Sequence, residues 1–171
     1  MKGNIMSSKK LSKTEIIQNL VRYLTDQAKA IREHGQHVVG VMGETWPFAY
    51  TVGNSKRGLP ELLLIGSCSD AAQDALDAMG KMMRDGKGTF EEGEIVDLGR
   101  TPLTRFPVKV INATDPAALR DYACQVNKYA KVQQVLIPDK AGRFPDQVGC
   151  AEPYSAIPLM RNQPGLPRKL R

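Results

Sequence analysis

Apolar and polar positions alternate along this chain with two different periods. Ser12-Lys13-Thr14-Glu15 reads as a capping box, in which the serine hydroxyl and the glutamate each satisfy a free N–H at a helix start. Behind it Ile16, Ile17, Leu20, Val21, Leu24, Ala28 and Ile31 recur at helical spacing, with Arg22, Asp26 and Lys29 outside the stripe. The spacing predicts a helix over Lys13 to His34, stopped by Gly35 and packed by one face on the sheet that follows. Runs rich in Val, Ile, Leu and aromatic residues come next, at His37 to Met42, Phe48 to Val52 and Glu61 to Ile65. Gly43-Glu44-Thr45-Trp46-Pro47 joins the first two, and Gly53-Asn54-Ser55-Lys56-Arg57-Gly58 begins the link to the third. Short polar connections favour antiparallel neighbours, so these strands read as a meander.

Ser69 then caps a second helix to about Asp85, with Ala72, Ala75, Leu76, Met79, Met82 and Met83 inward and Gly86 closing it. Glu94 to Leu98 and Phe106 to Ile111 are strands around a Gly99 to Thr104 loop. Asp115-Pro116 opens a third helix, whose buried stripe is Leu119, Tyr122, Ala123, Val126 and Tyr129. Val132 to Ile137 is the last strand, stopped by Pro138. The order predicts an α+β fold, a mainly antiparallel sheet with about three helices packed on it. The expected organisation is a basic tail over 1–12, one domain over 13–150 and a proline-rich basic arm over 151–171.

Charge changes the picture only at the ends. The formal balance is +6, but Lys2, Lys9, Lys10 and Lys13 lie at one end and Arg161, Arg168, Lys169 and Arg171 at the other. Removing these eight leaves 16 basic against 18 acidic residues, about −2 for the body. Specific nucleic-acid binding is therefore not expected, and the tails read as solvated ends. No apolar run approaches the roughly 20 residues of a membrane helix, and residues 1–13 carry no secretory core, so a cytoplasmic protein is expected. Cys68, Cys124 and Cys150 have no CxxC spacing and read as reduced thiols. With His34 and His37 the only histidines, a His-rich zinc site is excluded and no metal site is expected. There is no GxxxxGK[ST], no GxGxxG opening a helix, no GxSxG and no HExxH, so no cofactor is indicated.

Two stretches stand out: Phe48-Ala49-Tyr50-Thr51-Val52-Gly53, followed by Pro60-Glu61-Leu62, and Gln134 to Pro145 with its Pro138-Asp139 and Gly142-Arg143-Phe144-Pro145. With a looser Gly86 to Phe90 segment, they resemble a bacterial family known as domain of unknown function 4262, over roughly residues 30 to 150. The family pattern often has an aromatic residue where Ile137 stands, a tryptophan at Asp146 and a leucine at Asn54. These departures imply a more polar pocket in this chain. The resemblance implies no reaction, cofactor or catalytic residue.

The residues themselves suggest one site. Tyr50 and Thr51 point to opposite faces of a strand, so one is free to face a cleft. Gly53 permits a turn, Glu61 stands at a strand start, and Asp139 either ties a tight turn or pairs with Arg143. With Gln134 turned into the same space, carboxylate, guanidinium and amide suit a small polar or phosphorylated ligand. The expectation is a cleft between the Tyr50–Gly53 strand end and the Asp139–Arg143 loop, binding such a ligand or a partner protein, with candidates Tyr50, Thr51, Gly53, Glu61, Gln134, Asp139 and Arg143. The alternatives are a carboxylate-based hydrolase or lyase using Glu61 and Asp139, and a non-catalytic interaction protein of a mobile element or stress system.

Overall fold

A computed structural model of the chain describes residues 12–99, 105–115, 122 and 130–161. Its elements are α1 (Lys13–His34), β1 (His37–Val41), β2 (Phe48–Val52), β3 (Glu61–Ile65), α2 (Asp70–Met82), β4 (Ile95–Asp97), β5 (Pro107–Asn112) and β6 (Val132–Leu136). Local signals set most of these limits. Ser12 and Glu15 form both bonds of the capping box, and Gly35, at φ 89°, closes α1 by donating to Ile31 O. The Ser69 hydroxyl accepts the Ala72 N–H at the start of α2. A wider turn carries that helix to Lys87, and Gly86 breaks it at φ 119°.

The six strands form one sheet in the order β1-β2-β3-β6-β5-β4. β1, β2 and β3 make the antiparallel meander their short links imply. The sheet as a whole is nevertheless mixed rather than mainly antiparallel, because β3 and β6 at its centre run parallel, Glu61 beside Val132 and Leu64 beside Val135. A parallel neighbour needs a long crossover, and residues 66–131 supply one containing α2, β4 and β5. Two α-helices form among the described residues rather than three. The segment expected as the third lies outside them, apart from Asp115 and the helical Tyr122.

Alternation divides the sheet into two buried faces. Ala49, Leu62, Leu64, Val108, Val110 and Val135 pack beneath Ala72, Leu76 and Met79 of α2. On the other face Phe48, Tyr50, Leu63, Ile65 and Val132 lie against Ile157 and Met160 from the C-terminal stretch. The central strands are therefore buried on both faces, apolar but for Thr51, Glu61, Gln133 and Gln134. Met79 and Met83 fill the core, whereas Met82 is exposed. The expected packing of α1 is corrected: its buried residues are Gln27 and Ile31 alone, and the apolar stripe before them faces outward.

Candidate functional site

The first signature stretch ends in a buried polar knot. The Thr51 hydroxyl donates to Glu61 Oε2 at 2.8 Å and accepts the Leu62 N–H at 2.8 Å. Glu61 Oε1 accepts the N–H groups of Gly53 and Ser55, each at 2.9 Å. A carboxylate held by three donors acts as the organiser of the 53–58 loop. Gly53 has φ 120°, and a side chain there would strike Ile31, so glycine is required twice over. Asn54 donates to Gln36 Oε1 at 2.9 Å and accepts from the Arg84 guanidinium at 3.0 Å. Gln36 in turn donates to Asp77 Oδ1 at 3.0 Å and lies under α2.

The second stretch closes a separate loop. Asp139 Oδ1 accepts the N–H groups of Ala141 (2.8 Å) and Arg143 (2.9 Å), and its Oδ2 accepts that of Ala151 (2.9 Å) and the Arg143 guanidinium (3.0 Å). The Arg143 and Ala151 backbone donors, with those of Ala141 and the guanidinium, hold the Asp139 carboxyl down to about 2. Gln134 does not turn toward this loop: it donates to Pro158 O at 2.8 Å and accepts the Met160 N–H at 2.7 Å, fastening the C-terminal stretch to the sheet. Beside it, the largely buried Asp146 pairs with Lys109 at 2.6 Å.

These placements separate the expected cleft into two places. Val132 pairs with Glu61, β6 and β3 run the same way, and Asp139 follows three residues beyond the far end of β6. Leu136 alone stands about 13 Å along the strand from the level of Glu61. Glu61 with Thr51 and Gly53 therefore occupies one end of the sheet, and Asp139 with Arg143 the other. Tyr50 and Thr51 take opposite faces, yet both are buried to within 1% exposure, so neither opens on a cleft. Glu61 and Asp139 do not meet as an acid/base pair, because strand register sets their separation.

An open hollow does lie beside the first knot. A volume of about 470 Å³ is lined, among the described residues, by Ala28, Ile31, Arg32, Lys56 and Arg57. Arg57 donates to Gly35 O at 2.9 Å, satisfying a carbonyl at the end of α1. Arg84 lies against Gly35 as well; burial lowers its pKa, Asp77 opposes that shift, and the neighbouring charge of Arg57 adds to it. The 53–58 loop thus delivers positive charge to the last turns of α1. Lys56, Arg57 and Arg32 were missed in the sequence because cations at a helix end and in a glycine-bounded loop look like ordinary solvated charge. Asn54 stood out only as a departure from the family pattern, and Gln36 and Arg84 carried no local signal.

Among the described residues, no three His, Cys, Asp or Glu side chains are placed to hold a metal ion, and no helix is long and apolar enough to cross a membrane. Neither a curated protein nor a solved structure matches the chain. Residues 30–151, from the last turn of α1 through both polar knots to the end of the Asp139 loop, match the domain of unknown function DUF4262, and the chain belongs to that family.

Proposed function

We propose that this protein acts by binding, and that its ligand is a small anion, such as a phosphorylated metabolite, received in the hollow between the last turns of α1 and the 53–58 loop. One observation carries the reading: Arg32, Lys56 and Arg57 converge on that volume, and Arg32 and Lys56 have no carboxylate partner among the described residues. A guanidinium and an ammonium beside one open hollow suit phosphate or carboxylate oxygens. Thr51, Gly53 and Glu61 then serve as positioning residues, since their bonds shape the loop that carries Lys56 and Arg57. Tyr50, Gln134, Asp139 and Arg143 play no direct part in this site.

The test is thermal denaturation with inorganic pyrophosphate at constant ionic strength, on the wild type and on a chain carrying Arg32→Gln and Lys56→Gln. A ligand present at 100 times its Kd adds about 2.7 kcal/mol of stability. A rise in Tm that the double variant loses supports the site. The same rise in both proteins, or none in the wild type, overturns it.

A further inference from the structure

Among the described residues, α1 has no buried position before Gln27. Residues 12–22 are exposed, and among the described residues the body meets α1 at Tyr23, whose ring meets His37 edge-on, and at Gln27 and Ile31. Along this part of the helix Ile16, Ile17, Leu20, Val21 and Leu24 are 52%, 61%, 54%, 58% and 48% exposed. Scattered exposed apolar residues need no explanation, but a contiguous stripe on one helix marks an interface. A helical piece shorter than about 12–15 residues is also marginal in water without a packed face.

We propose that this stripe is a self-association surface, on which α1 of a second copy of the chain pairs in the antiparallel sense. Ile17, Val21, Leu24 and Ala28 follow one another at steps of four, three and four, the seam spacing that a second helix reads. The positions flanking its central turns are Gln18, Leu20, Thr25 and Gln27, none of them charged, so an identical copy brings no like-charge pair to those turns. Among the described residues the body meets α1 over its C-terminal half, at Tyr23, Gln27 and Ile31, so an antiparallel pair attaches the two bodies to opposite halves of the helix pair. A two-fold axis then places Val21 opposite the partner's Leu24, and Ile17 opposite the partner's Ala28. Tyr122 packs edge-on against Phe48 at 5.1 Å. Ala28 of the seam also lines the anion hollow, so association is measured without added anion.

The experiment is sedimentation velocity of the full chain over a hundredfold concentration range, with two variants, Leu24→Glu and Ile17→Glu. Each is checked by circular dichroism, and both positions lie outside the buried core. The expected result is a wild-type dimer and variants that remain monomeric at the highest concentration, with a Kd raised at least tenfold. Hydrogen exchange then shows amides of residues 16–24 protected more strongly as concentration rises. A wild type monomeric throughout, a dimer indifferent to both substitutions, or concentration-independent protection of those amides (another segment of the same chain covering them) overturns the proposal.

Discussion

The Thr51 hydroxyl stands between two strands, giving its hydrogen to Glu61 Oε2 at 2.8 Å while taking the Leu62 N–H at 2.8 Å. Both residues are buried, so each bond removed leaves a stranded partner. Thr51→Val keeps the shape and deletes the hydroxyl, and is expected to cost about 1–3 kcal/mol. Glu61→Gln turns an amide donor toward groups that themselves donate, and is expected to cost about 2–4 kcal/mol. Urea unfolding checks both, as a lower midpoint at unchanged slope.

Asp139 makes stability fall in acid. Its folded pKa of about 2 lies below the ordinary 3.8, so the folded state takes up this proton later than the unfolded chain. The stabilisation is complete above 3.8 and drains away as pH falls through about 2. Asp139→Asn is expected to be less stable at neutral pH and to flatten the acid limb of the stability profile in that window. Unfolding curves collected from neutral to strongly acidic pH measure the difference, and an unchanged limb assigns it to another carboxylate.

Gly80 reverses a general rule. Glycine to alanine inside a helix ordinarily gains about 1 kcal/mol. A Cβ at Gly80, however, would overlap the amide of Gln36, the group that ties α2 to Asn54. Gly80→Ala is expected to lose about 1–3 kcal/mol, and pairing it with Gln36→Ala recovers part of that loss. Additive losses in a double-mutant cycle would rule the contact out.

Gln134 holds the stretch around Pro158 and Met160 through two backbone groups. Gln134→Leu leaves both without that partner, at an expected cost of about 2–4 kcal/mol. Limited proteolysis is expected to cut near residues 155–161 sooner in the variant than in the wild type. Equal cleavage rates would mean that the burial of Ile157 and Met160 fastens the stretch without Gln134.

The two signature stretches were legible as sets of residues and illegible as an arrangement, and the cations of the hollow were not legible at all. Phe48 to Gly53 and Gln134 to Pro145 identified the family, and Asp139 does meet Arg143, because a carboxylate four residues before an arginine in a glycine turn closes locally. The shared cleft failed because its two halves sit at opposite ends of β3 and β6, and only the pairing of Glu61 with Val132 reveals which ends coincide. The mixed sheet escaped notice for the same reason: short strands rich in apolar residues read alike whether they run parallel or antiparallel.

By itself the sequence determined what is local: the capping box and Gly35 that bound α1, the Ser69 cap, and the alternation that puts Tyr50 and Thr51 on opposite faces. Each depends on residues within a turn or two, where geometry is nearly independent of the rest of the chain. The tertiary structure alone decided what joins distant residues: the parallel β3–β6 pair, the seating of Gln36 beneath Gly80, the gathering of Arg32 with Lys56 and Arg57, and the outward turn of the α1 stripe. A helical stripe announces that it needs a covering surface without naming which one, since burial of apolar area has no preferred partner.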